Sequence, residues 1–115
     1  MSYKELIVWQ RSFELVVEVH RLTDFFPKSE LYGLTSQIRR AVVSIPSNIA
    51  EGFVRRHRKE YSQFISIAFG SGAELETQLL LAKVLKLAPE KEFVRSESLL
   101  SEVMKMLNAL LMRLK

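Results

Sequence analysis

Only three prolines and four glycines interrupt this chain of 115 residues. Between them, apolar residues recur at steps of three and four, the one-faced repeat of an α-helix rather than the alternation of a strand. No two-residue hairpin turn occurs. The breaks leave four helical stretches. The first is predicted over Leu6 to Phe26, with Trp9, Phe13, Val16, Leu22 and Phe26 facing a core and Leu15, Val17 and Val19 widening the stripe. Pro27 ends it, because the residue before a proline is pushed out of helical geometry. The second is predicted over Leu34 to Glu51, with Leu34, Ile38, Val42, Ile45, Ile49 and Phe53 as its apolar stripe. Pro46 removes the hydrogen bond to Val42, so a kink is expected there. Gly52 is placed to end the helix in the left-handed conformation.

The third stretch is predicted over Arg58 to Leu87. Tyr61, Ile65, Ala68, Gly72, Leu75, Leu79 and Ala82 form one stripe, and Phe69, Ala73, Leu80, Val84 and Leu87 a second beside it. The small run Ala68, Gly70, Ser71, Gly72, Ala73 would let another helix approach closely. A glycine inside a helix costs about 1 kcal/mol relative to alanine, so a packing reason is expected. Pro89 marks the last turn, and a fourth helix is predicted over Glu90 to Leu114 on Leu100, Val103, Leu107, Leu110 and Leu114. Four such helices with short connections predict an all-α fold. The expected form is a single-domain antiparallel up-down-up-down four-helix bundle with a proline-kinked second helix, spanning residues 1–115. Several stripes are wider than one bundle face requires. Deep burial within one copy explains that, and so does a homo-oligomer.

Composition removes several function classes. Apolar residues make up 48% and charged residues 26%, the balance of a globular chain. Without cysteine there is no disulfide, thiolate nucleophile or thiolate metal ligand, which fits a reducing compartment. The N-terminal MSYKELIVWQ lacks the apolar run of a signal peptide, and no segment approaches the roughly 20 apolar residues of a membrane span. The expectation is a cytoplasmic protein with no membrane partner.

The net charge of +4 resides in one stretch, Arg39 to Glu60. Arg39, Arg40, Arg55, Arg56, Arg58 and Lys59 oppose Glu51 and Glu60 there, while the rest of the chain balances. On a helical wheel Arg40, Ser44, Asn48, Glu51 and Arg55 fall opposite the apolar stripe of the second helix. They form either a polar ridge on a binding surface or subunit contact, or a solvated face with internal salt bridges. Periodicity alone favours the solvated face. The run Arg55-Arg56-His57-Arg58-Lys59 falls at a turn between helices. It reads as a patch contacting phosphates, to which arginine forks are suited, or as a solvated corner paired with Glu51 and Glu60. Phe53 and Tyr61, the aromatics beside it, fit core positions. That argues for backbone contacts rather than a stacking platform.

Chemistry-bearing constellations are lacking. Gly70-Ser71-Gly72 follows no strand and has no downstream lysine of a phosphate loop. Glu74 and Glu76 point in different directions on a helix, though one of them would reach an arginine of the second helix. His20 and His57 have no partners at metal-ligand spacing, and His20 reads as a helix-surface residue. No triad or acid–base couple can be named. No catalytic residue, metal site or cofactor is expected, and no enzyme activity.

The chain resembles the large-subunit (23S) rRNA intervening-sequence protein family. The residues that carry the resemblance are Leu6-Ile7-Val8-Trp9-Gln10, Phe26-Pro27, and Tyr32-Gly33-Leu34-Thr35-Ser36-Gln37-Ile38-Arg39-Arg40-Ala41. Ser44-Ile45-Pro46-Ser47-Asn48-Ile49-Ala50-Glu51-Gly52 is the most specific piece, and Gly70-Ser71 with Ala73-Glu74-Leu75-Glu76-Thr77 completes it. The resemblance implies an antiparallel four-helix bundle assembled as a homopentamer. It also implies a link to the accessory protein of diversity-generating retroelements, whose basic surface binds nucleic acid and whose partner is a reverse transcriptase. Carried over, Arg39, Arg40, Arg55, Arg56, Arg58 and Lys59 become candidates for contact with RNA or DNA. Pro46, Asn48, Glu51 and Gly52 become structural residues of the second helix. Two departures stand out. His57 occupies a place where the family often has Ser or Thr, so the third helix lacks its usual capping box with Glu60. Gly72 replaces a larger apolar residue. The leading expectation is a non-enzymatic, oligomeric, nucleic-acid-associated protein; the alternative is a protein-interaction scaffold with no nucleic-acid role.

Overall fold

A computed structural model describes residues 1–115. It is all-helical: α1 spans Ile7–Thr23, α2 Leu34–Val54, α3 Arg58–Val84 and α4 Val94–Leu114. Short 3₁₀ turns at Tyr3–Glu5, Lys28–Glu30 and Glu90–Phe93 precede α1, α2 and α4. Each helix packs against its neighbours in the ring α1–α2–α3–α4–α1, and α2 with α3 is the most intimate pair. The bundle measures 43 × 24 × 21 Å.

The predicted core stripes of α2, α3 and α4 occupy the interior. Ile38, Val42, Ile45 and Ile49 from α2 meet Ile65, Ala68, Leu75 and Leu79 from α3 and Leu100, Val103 and Leu107 from α4. Leu34, Tyr61, Leu110 and Leu114 close the ends as half-buried residues. On α1 the inward face is offset from the prediction. Val8, Ser12, Leu15, Val19 and Leu22 are buried, whereas Phe13 is 52% exposed. Hydrophobicity alone cannot choose a face when apolar residues run round most of a helix. The small buried Ser12, whose hydroxyl donates back to the Trp9 carbonyl at 2.8 Å, shows which face approaches its neighbours. The second stripe of α3 divides: Phe69 and Leu87 pack against the core, whereas Leu80 and Val84 are exposed.

Helix ends differ from the sequence expectation where local chemistry intervenes. α1 stops at Thr23, four residues before Pro27, and Thr23 turns its hydroxyl onto the Val19 carbonyl at 2.9 Å. α4 begins at Val94, because Pro89 opens a 3₁₀ turn that buries Phe93 before the α-helix starts. α3 ends at Val84, with Lys86 in the left-handed region at φ 57°. α2 runs unbroken through the buried Pro46 to Val54.

Gly52 does not end α2. No glycine adopts positive φ; the left-handed residue after the helix is Arg56 at φ 61°. Gly52 is required for another reason. A Cβ there would sit 2.7 Å from Cβ of Phe64 and 3.1 Å from the Tyr61 ring, so the bare backbone is what lets α3 close onto α2. At Gly72 a Cβ would fall on the Met104 sulfur, the end of a flexible side chain of α4 that can turn aside. Gly70 faces open space, while Ala68 of the same run is fully buried and Ser71 meets Ser44 of α2.

Candidate nucleic-acid interface

A helix rises 1.5 Å per residue, so Arg40 and Arg55 lie about 22 Å apart along α2. The basic stretch, continuous in sequence, becomes two separate places. One is on the first turns of α2, the other at the corner between α2 and α3.

At the first place, Arg39 turns towards α1. Its Nε donates to Thr23 Oγ1 at 2.9 Å, and Nη2 reaches Asp24 at 3.1 Å and the His20 carbonyl at 3.5 Å. Arg39 is thus a tie between α1 and α2. Arg40, one residue on, points away from that tie; it is exposed and has no carboxylate within 4.0 Å. Grooves lie on either side of it. The one towards α1 is lined by His20, Leu31, Tyr32, Thr35, Ser36, Arg39, Arg40, Val43 and Ser44, with a volume of about 630 Å³. The one towards α3, about 370 Å³, is lined by Gln37, Arg40, Ala41, Ser44, Ser71 and Glu74. Glu74 shares this groove with Arg40 but forms no ion pair with any arginine of α2, and neither does Glu76.

Along the ridge between the two places, polar residues hold one another. Ser44 Oγ meets Ser71 Oγ at 2.8 Å across the α2–α3 contact. Asn48 donates to both the Ser44 carbonyl, at 2.7 Å, and Ser44 Oγ, at 2.9 Å. Ile45, Pro46 and Ile49 meanwhile point inward. The motif that carries the family resemblance thereby divides into a buried apolar side and a self-satisfied polar side.

At the corner, residues 55–59 are all exposed. Arg55 is occupied: its guanidinium pairs with Glu51 at 2.9 Å and Glu60 at 4.0 Å, and lies over the Phe64 ring at 5.2 Å, a cation–π contact. Arg56, Arg58 and Lys59 have no carboxylate within 4.0 Å. His57 occupies the N-cap of α3 with extended backbone and makes no side-chain capping bond. The N-terminal amides of α3 therefore add an uncapped positive dipole end.

Arg113 was not singled out from the sequence. Its carbonyl accepts a hydrogen bond from Arg58, which brings the exposed end of α4 to this corner. Its charge acts on Tyr61: burial pushes the phenol up, and Arg113 pulls it the other way. Nothing local in the sequence around Arg113 indicates this position; it follows from the lengths of α3 and α4. Elsewhere, no group of three or more His, Asp or Glu side chains is placed to hold a metal ion. No helix is long and apolar enough to cross a membrane.

The arrangement offers exposed guanidinium and ammonium groups without carboxylate partners, suited to phosphate contacts. In comparison with known proteins, the family model described as 23S rRNA-intervening sequence protein matches residues 4–109. The search of curated proteins returned no match.

Proposed function

The chain belongs to the 23S rRNA-intervening sequence protein family, and from that membership we propose that it is a non-enzymatic, homo-oligomeric bundle protein that associates with RNA or DNA through its basic surface. One observation carries the reading. Four of the six cations in the basic stretch, Arg40, Arg56, Arg58 and Lys59, are exposed without a carboxylate partner. An unpaired surface cation releases counterions when it meets a phosphate, whereas a paired one must first lose its partner. The phosphate contacts are assigned to these four, with Arg113 as a fifth at the corner; Arg39 ties α1 to α2, and Arg55 is already engaged by Glu51, Glu60 and Phe64.

The same reading includes an antiparallel up-down-up-down chain path. It is supported by contacts that run in opposite sequence order, Gly52 with Tyr61 and Phe64 but Ser44 with Ser71. On α3 and α4 they are Gly72 with Met104 but Lys83 with Glu97. A bend of α2 at Pro46 follows from its missing amide. Oligomerisation, with five subunits by family resemblance, is supported by the outward apolar residues Leu80, Leu81, Val84 and Leu85 near the end of α3. A cytoplasmic setting fits a chain without cysteine, and a reverse transcriptase as a further partner rests on resemblance alone.

Filter binding tests the reading. Wild-type protein retains RNA or duplex DNA at low salt, and retention falls steeply as salt rises. The triple substitution Arg56→Ala, Arg58→Ala, Lys59→Ala lowers it. If the wild type retains neither nucleic acid, the reading is wrong. The alternative is a protein-interaction scaffold, favoured by the apolar surface of α3. It predicts instead that the triple variant changes the mass measured by light scattering in the absence of nucleic acid.

A further inference from the structure

Sequence spacing argues against stacking because the aromatics beside the Arg55–Lys59 run point into the bundle. The folded chain offers one elsewhere. Tyr32 follows the 3₁₀ turn at Lys28–Glu30 and precedes α2 by two residues. Its side chain is left 94% exposed, packed on nothing. It lines the 630 Å³ groove beside α1 together with His20, Thr35, Arg39, Arg40 and Val43. None of the residues lining that groove is acidic, and the nearby Asp24 is engaged by Arg39.

We propose that this groove is a subsite for single-stranded nucleic acid, in which a base stacks on the Tyr32 ring and Arg40 holds an adjoining phosphate. The inference rests on the nucleic-acid reading above and narrows it to strands whose bases are unpaired. Three features agree. A planar ring held in water with both faces open gains from covering by any base, since every base has a π-face. Arg40 is exposed without a carboxylate, so its fork is available to phosphate oxygens. The groove also carries polar groups with unused capacity. Ser36 and Ser44 on its wall are partly exposed. The Nδ1 of His20 lies 2.9 Å from the Val16 carbonyl; a carbonyl only accepts, so Nδ1 carries the proton and Nε2 is left for another partner. Leu31 and Val43, both partly exposed on the groove wall, give it the mixed apolar and cationic character that a nucleotide matches. A duplex keeps its bases stacked inside and gains nothing from the ring.

The test is fluorescence anisotropy with labelled single-stranded RNA, single-stranded DNA and duplex DNA. Tyr32→Ala is expected to weaken single-strand binding about 5- to 150-fold, with RNA and DNA reporting which strand is preferred. Duplex binding should change by less than about twofold, and Tyr32→Phe should restore single-strand binding, because the ring rather than the hydroxyl stacks. Arg40→Ala should weaken binding and flatten its salt dependence by about one phosphate's contribution. Unchanged single-strand affinity in Tyr32→Ala overturns the inference, as does an equal loss on duplex or a change in oligomeric mass. Wild-type protein that binds duplex but no single strand also overturns it and leaves the broader reading standing. Wild-type protein that binds no nucleic acid overturns both.

Discussion

The two ends of α2 carry similar charge and are used in opposite ways. At its start, Arg39 is spent on bonds to α1 while Arg40 stands free beside an open groove. At its finish, the helix is pressed so closely to α3 that Gly52 has no room for a methyl group. There Arg55 is clamped by Glu51, Glu60 and Phe64, and the free cations begin only past the helix, from Arg56 onward. Charge in a sequence therefore says little about availability. At each end one arginine is engaged by neighbours within the chain and another is left for a partner.

The largest effect expected of this difference is on binding. Substituting Arg56, Arg58 and Lys59 together by Ala should reduce affinity for RNA or duplex DNA by about two orders of magnitude and lower the salt slope by about three. Arg55→Ala should cost far less, because its charge is already compensated. Equal losses from Arg55→Ala and from any one of the three would erase the distinction between occupied and free cations.

Next in size is the close contact at the finish of α2. Gly52→Ala gains helix propensity but drives a Cβ against Cβ of Phe64, which is anchored to the backbone and cannot swing aside. A net loss of about 1–2 kcal/mol is expected in urea unfolding. Gly70→Ala, which meets no atom within 4 Å, should instead gain up to about 1 kcal/mol. The pair sharpens the comparison, since the same substitution changes sign with the neighbour it meets.

At the start of α2, Arg39→Ala removes a hydrogen bond to Thr23 and an ion pair to the well-exposed Asp24. A loss of about 1 kcal/mol is expected, nearly all from the Thr23 bond, and nucleic-acid binding should hardly change. If binding falls as far as with Arg40→Ala, Arg39 is not merely a tie.

The smallest effect concerns Glu51→Gln at the finish. The pair with Arg55 is exposed on both sides and is worth well under about 1 kcal/mol. Thermal unfolding should barely move, while the freed Arg55 should slightly strengthen binding. A large destabilisation would show that this surface pair does more than hold Arg55 in place.

Much of the fold is legible in the sequence. The inward residues of α2, α3 and α4 follow the apolar period, and Pro27, Gly33 and Pro89 do separate the helices. The weak points share one cause. Phe13, expected in the core, is exposed, and the period does not say that Leu80 and Val84 lie outside, because α1 and α3 are apolar around most of their circumference. Gly52 was read through its conformational freedom, when its lack of a Cβ is what matters. The candidate interface was legible only as a list of cations. Which of them are free, the arrival of Arg113 beside Arg58, and the exposure of Tyr32 above the groove all depend on residues distant in sequence.

By itself, then, the sequence determined the helical class, the four segments, most of the core and the amount of positive charge, because these follow from local spacing and from counting. Tertiary structure alone decided which glycines are needed and which arginines are neutralised. It also separated one charged stretch into two sites at opposite ends of a helix. The physical reason is that steric room and charge compensation are properties of pairs of elements, and a helix carries no record of its neighbours in its own period.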